Sequence, residues 1–340
     1  MPRLMWRVRR TKMPLVQPDY VAPHWLSGPQ LQTIVAAKIC KKPKMTYRRE
    51  RWETPDDDFI DVDWATPEPA DPKAPVLVHF HGLEGSSRSH YALALMHETA
   101  SRGWRGCVAH FRSCSGEINR KARAYYAGDI DEVQWVLETV KARYPQAPLY
   151  AVGVSLGGNQ LSLFCGKRAD KAASLLTAAA SIAAPVDLVA GSNLLRYGFN
   201  RVYSSVFLNS LIPKVLQKCK TMPELAAKID VNAVRKCKNF YDFDSIYTAP
   251  AHGFKSAMEY WTTCSAKPWL KYIKVPFLLM NAKNDPFLPE WALPTLDDVS
   301  ETVWIDQPAE GGHVGFPTGS PPGEVTYLPQ RIFRFFTERT

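Results

Sequence analysis

The residues best suited to chemistry begin with Ser155, inside Gly153-Val154-Ser155-Leu156-Gly157-Gly158. An apolar run at 149–152 leads in and a helix-forming stretch at 159–164 leads out, so the spacing predicts strand, sharp turn and helix. On such an elbow only glycines tolerate the close backbone approach, and the serine hydroxyl is left exposed as a nucleophile. A serine nucleophile needs a base, and the base needs an orienting acid. Asp285 lies just past the apolar run 275–280, at the strand end where ligands and catalytic groups gather in parallel sheets. Asp297, Asp298 and Asp306 are the alternative acids, less well placed. His313, closely flanked by Gly311, Gly312 and Gly315, is the candidate base, on a loop at 311–316 expected to be mobile enough to reach across the sheet edge. In this reading His313 removes the Ser155 proton as the hydroxyl attacks a carbonyl. It then protonates the leaving alkoxide, while Asp285 holds the imidazole tautomer.

The elements that must position these groups follow from hydrophobic period. Residues 76–80 form a short apolar strand running into His81-Gly82-Leu83-Glu84-Gly85. A glycine-bearing turn there aims an amide at a developing oxyanion, and the residue after the nucleophile supplies the second. The expected donors are the amides of Leu83 and Leu156. His79 and His81 share a strand face at i and i+2, but no third ligand lies near, so no metal is expected, and the chemistry needs no cofactor. Residues 46–54 and 59–64 read as an antiparallel hairpin. Helices are expected at 89–102, 128–144 and 327–337, and further strands at 106–111, 173–180 and 301–305. Residues 22–34 read as a loop and short helix packed on the body. Strands alternating with helices predict an α/β fold with a mostly parallel central sheet and helices on both faces. From 185 to 263 the alternation breaks into apolar residues at helical spacing, expected to be a helical cap inserted over the strand ends.

A chain of 340 residues suits one large domain, taken as 15–340, behind a basic, disordered extension at 1–14 in which Met5 or Met13 could be the true start. No run of 18 apolar residues exists and the arginine-rich start has no apolar h-region, so a cytoplasmic location is expected. Seven cysteines, odd in number and never spaced C-x-x-C, argue for reduced thiols. The formal charge of +9 is uneven: residues 1–52 hold 12 Lys/Arg against Asp19 and Glu50. That segment, with Trp6, Trp25 and Trp52, could make a weak contact with a membrane surface, whereas no nucleic-acid motif accompanies it. Oligomeric state leaves no mark in the sequence.

The chain order Ser155, Asp285, His313 is that of an α/β-hydrolase triad, and several further segments point the same way. Trp25-Leu26 with Leu31-Gln32-Thr33, His81 to Gly85, His110-Phe111-Arg112-Ser113-Cys114-Ser115-Gly116-Glu117, Asn284-Asp285-Pro286-Phe287 and Gly312-His313-Val314-Gly315-Phe316 together resemble the YheT-like α/β-hydrolases. These have eukaryotic membrane-associated lipase and yeast ethanol-acyltransferase relatives. The resemblance runs from Trp25 onward and implies an α/β-hydrolase fold, carboxylic ester hydrolysis and acyl chains as substrates, with the triad at the residues chosen above. Ser113 departs from it, standing where the family has glycine. The leading expectation is a serine esterase or lipase on short- to medium-chain acyl esters. An alcohol acyltransferase would use the same acyl-enzyme, and a non-catalytic binding protein could keep the fold without the chemistry.

Overall fold

The computed structural model describes residues 16–340, so the disordered extension expected at 1–14 lies outside the described residues. Among the described residues eight strands form one sheet: β1 (Thr46–Glu53), β2 (Phe59–Thr66), β3 (Val76–Phe80), β4 (Arg105–Ala109), β5 (Leu149–Val154), β6 (Ala178–Ile182), β7 (Phe277–Met280) and β8 (Val303–Asp306). Their order is β1-β2-β4-β3-β5-β6-β7-β8. The first two pair antiparallel, as the alternating sequence predicts, and β2 meets β4 antiparallel; every later pairing is parallel. Strands β3 to β8 are buried along their whole length, which is why they read as continuous apolar runs.

Helices cover both faces because each carries one apolar stripe. Against one face lie α3 (Ile130–Arg143) and α4 (Leu156–Lys167), burying Val133, Val136, Leu137 and Val140 with Leu161 and Phe164. Against the other lie α2 (His90–Ser101) and the C-terminal helix Tyr327–Arg339, contributing Leu95, Met96, Phe333 and Phe336. Each such side chain, fully buried, contributes about 1.5–3 kcal/mol. Helix α1 (Pro29–Lys38) packs against the loop that carries His313.

One expected strand is displaced. Of residues 173–180 only 178–180 join a strand; α5 (Ala169–Leu175) occupies the first part and β6 starts at Ala178. Alanine favours helix wherever packing leaves it free, and only from Thr177 onward does the segment reach the ladder of β5. Between β6 and β7 the chain is helical, with α6 (Leu188–Leu194), the 22-residue α7 (Asn200–Thr221), a π-helical turn at Asp244–Thr248 and the helix Ala257–Cys264. Among the described residues no helix is long and apolar enough to cross a membrane.

Candidate active site

Each candidate side chain stands where a parallel strand ends. Strand β5 ends at Val154, and Ser155 follows with φ 53° and ψ −118°, left-handed backbone that a residue with a Cβ holds only under strain. Two bonds keep it there: the Ser155 amide donates to Ile182 O (2.8 Å) and its carbonyl accepts from the Asn159 amide (3.0 Å). The flanking glycines are dictated by contact. A methyl group on Gly157 would fall on the carbonyl oxygens of Phe80 and His81, and one on Gly153 on the carbonyl of Gly157.

Beyond β7, the Asp285 carboxylate is fully buried and Oδ1 accepts from the Phe287 amide at 2.8 Å. His313 Nδ1 lies 2.9 Å from Asp285 Oδ2 and 3.1 Å from Oδ1, while Nε2 lies 2.9 Å from Ser155 Oγ. An ionised carboxylate only accepts, so Nδ1 carries the proton and Nε2 is left to accept from the serine hydroxyl. The Phe287 ring stacks on the imidazole, centroids 3.9 Å apart and planes 12° from parallel. Ser155, Asp285 and His313 are thus brought together from three loops. The alternative acids are not: Asp306 is paired with Arg331 (2.7 Å), and Asp297 and Asp298 sit in a 3-10 turn.

The loop around His313 is not the mobile segment its glycines suggest. Residues 311–316 are all buried, and three consecutive amides have side-chain acceptors: Gly311 N to Gln32 Oε1 (2.9 Å), Gly312 N to Asn284 Oδ1 (3.0 Å) and His313 N to Thr33 Oγ1 (2.8 Å). The glycines serve close approach instead, since a Cβ on Gly312 would lie 2.6 Å from Thr33 Oγ1. The roles of Gln32 and Thr33 escape sequence reasoning. The stretch 31–33 stands out as a shared segment, but nothing in its spacing names the loop it holds.

The turn after β3 is fixed as firmly. His81 Nε2 accepts from the Phe111 amide (3.0 Å), so Nδ1 bears the proton and donates to Gly82 O (2.7 Å). Burial holds this imidazole well below its ordinary pKa, hence neutral. Tyr91 Oη accepts from Gly82 N (2.9 Å); Tyr125 Oη accepts from Glu84 N (3.1 Å) and donates to Glu84 Oε1 (2.8 Å). Between these clamps the Leu83 amide, like that of Leu156 at the start of α4, has no protein acceptor among the described residues. His79 bonds Val152 O (3.0 Å), and burial pushes its pKa down to about 4. No group of three or more His, Cys, Asp or Glu among the described residues could hold a metal ion. Ser113 takes the left-handed φ of 65° that glycine would adopt without strain, and Asn119 bonds both its amide and its hydroxyl.

A cavity of about 140 Å³ opens from Ser155 between the sheet edge and the helices that follow β6. Leu83, Leu156 and Phe287 wall it on one side, Leu195, Phe207, Leu211, Phe240 and Trp261 on the other. Its wall also holds Asp244, which accepts from Trp261 Nε1 (2.7 Å) and whose pKa burial pushes up to about 6. Lys214 Nζ reaches across from α7 to Glu84 Oε2 (2.7 Å), joining the helical insert to the turn after β3.

A serine elbow after the central strand of such a sheet, with acid and histidine on later loops, defines the α/β-hydrolase class. The chain belongs to the α/β-hydrolase family: the family model described as alpha/beta hydrolase fold matches residues 75–319. Within it the chain is of the esterase type and is 35% identical over 314 residues to YheT of Escherichia coli (strain K12), covering 92% of each protein. It is 30% identical to Phospholipase ABHD3 of Mus musculus over 96% of this chain and 79% of that protein. Among solved structures, the Pyrococcus furiosus esterase Pf2001 superposes with a TM-score of 0.53 at 14% identity, over 95% of this chain and 99% of that one, a likeness of fold alone.

Proposed function

We propose that this chain is a serine carboxylic ester hydrolase acting on short- to medium-chain acyl esters. The observation that carries the reading is the run Asp285–His313–Ser155, with 2.9 Å at both of its closest links, at the mouth of an apolar cavity. His313 Nε2 takes the hydroxyl proton as Ser155 Oγ attacks the ester carbonyl. The tetrahedral oxyanion is met by the amides of Leu83 and Leu156, each contributing roughly 3 kcal/mol to the barrier reduction. The imidazolium, stabilised by Asp285, gives its proton to the departing alkoxide, and water repeats the sequence to release the acid. Residues 185–263 act as a cap on a single hydrolase domain, 15–340, and their apolar inner side receives the acyl chain.

The test is hydrolysis of p-nitrophenyl esters from acetate to laurate by the intact protein, Ser155→Ala and His313→Ala. A loss of about 1000-fold or more in both variants is expected, with a burst in the intact protein and an optimum chain length. No turnover and no burst on any ester would overturn the proposal.

A further inference from the structure

Charge beyond residue 52 is sorted by place. Residues 196–240, the middle of the insert, hold nine Lys/Arg against Glu224 and Asp230, a net +7, while the rest of the chain after residue 52 nets −8. Of these nine, Lys214 alone is ion-paired among the described residues. Arg201, Lys220, Lys228, Arg235, Lys236 and Lys238 are exposed. The same region exposes large apolar side chains: Tyr197 is 65% exposed, Phe199 and Val202 are 49%, Val206 is 60% and Tyr241 is 42%. Phe199, Val202 and Val206, three and four apart at the start of α7, form one stripe. The two sets adjoin, because the Arg196 guanidinium lies over the rings of both Tyr197 (5.9 Å) and Tyr241 (5.2 Å), and Tyr241 stands three residues after Lys238, the end of the basic segment 235–238. On their inner side the same elements present Leu195, Phe207 and Phe240 to the cavity.

We propose that this outer face of the insert docks the protein on an anionic lipid surface, with the apolar stripe entering the acyl boundary and the unpaired cations meeting headgroup charge. Cations beside exposed aliphatic and aromatic side chains are what such a surface selects. A nucleic acid would gain nothing from Val202 and Val206, and a second copy would set +7 against +7. The docking itself stands apart from the ester chemistry; its use, delivering acyl esters to the cavity beneath, rests on that reading.

The full chain is sedimented at low salt with vesicles of phosphatidylcholine alone and of phosphatidylcholine mixed with phosphatidylglycerol. Binding to the anionic vesicles is expected, weakening steeply with salt. Reversing Arg235, Lys236 and Lys238 to Glu should weaken it by about 100-fold, roughly fivefold per residue before counting the added repulsion. Val202→Ser with Val206→Ser should weaken it by about tenfold. Hydrolysis of monomeric p-nitrophenyl butyrate should stay unchanged in both variants, which separates this test from that of the ester chemistry. The proposal is overturned if the intact protein ignores anionic vesicles, or if the triple reversal leaves binding intact, which would assign it to the basic segment 1–52. It is equally overturned if the serine pair instead abolishes a dimer seen by light scattering.

Discussion

Thr33→Val tests whether α1 sets the position of His313. The Thr33 hydroxyl donates to Pro29 O (2.7 Å), which turns a lone pair toward the His313 amide 2.8 Å away. Valine keeps the shape and removes the oxygen, leaving a buried amide without its acceptor, a cost of about 1–3 kcal/mol. The same loss frees the backbone that carries the imidazole, and a displacement of about 1 Å there costs up to about 100-fold in rate. Urea unfolding should therefore report about 1–3 kcal/mol of destabilisation, and ester hydrolysis a 10- to 100-fold fall in kcat. Because Thr33 does not line the cavity, KM should move by less than about twofold. Thr33→Ser retains the acceptor and should recover most of kcat. Full kcat in a destabilised Thr33→Val protein would refute the positioning role, and equal damage from serine would assign the effect to methyl packing.

Leu211→Trp should fill part of the cavity and move the preferred acyl chain toward acetate, read as the ratio of kcat/KM on laurate to that on acetate; an unchanged ratio would mean that the chain lies elsewhere. Gly157→Ala should give no soluble protein, since its methyl group meets two backbone carbonyls that cannot retreat; a soluble, active variant would refute the contact argument. For Asp244, folding raises the pKa from 3.8 to about 6, so the folded state binds the proton more tightly and stability falls as pH rises from about 4 through 6. At pH 7.5 the buried charge costs on the order of 3 kcal/mol. Asp244→Asn, which keeps an acceptor for Trp261, should recover up to that amount at pH 7.5 and little at pH 4; equal gains at both would refute charge burial as the cause.

The parts of the fold legible in the sequence are those whose burial is local and periodic. Strand β1 alternates because one of its faces is wet, β2 alternates because its buried Asp61 and Asp63 pair with Arg51 and Arg49 of β1, and β3, β5 and β7 are apolar runs because both of their faces are covered. The elbow is legible because Gly153 and Gly157 answer to contacts within a few residues of the serine and to the neighbouring strand end. What stayed hidden is long-range. Gln32 and Thr33 act across more than 270 residues, and no period or spacing announces a side-chain acceptor for an amide that distant. The expected mobility of the His313 loop failed for the same reason: glycines read locally suggest freedom, whereas here they make room for α1. Strand β6 was misplaced because an alanine-rich stretch suits either state until its neighbours decide.

The strained backbone shows how the site is assembled. Among the described residues seven non-glycine residues have left-handed φ, and one, Asp57, sits in the hairpin turn. Glu84, Ser113, Ser155 and Ala183 follow β3, β4, β5 and β6, each within about four residues of its strand end, and Val314 and Phe316 lie within the loop of His313. Six strained residues along one sheet edge cost about 1–2 kcal/mol each, and the local hydrogen bonds on Ser155, Ser113 and Glu84, worth about 0.5–1.5 kcal/mol net apiece, offset only part of the total. The remaining compensation must come from the sheet, whose two covered faces fix the strand ends regardless of what the turns prefer. That places a division of labour on the sequence. Hydrophobic burial supplies stability at a distance from the chemistry, and the side-chain acceptors of Gln32, Thr33, Asn284, Tyr91 and Tyr125 convert it into fixed amide positions around Ser155. Mutations in those five residues should therefore cost about as much in rate as in stability, whereas core truncations such as Phe164→Ala should cost stability alone, about 3–5 kcal/mol, with kcat nearly intact in the folded fraction.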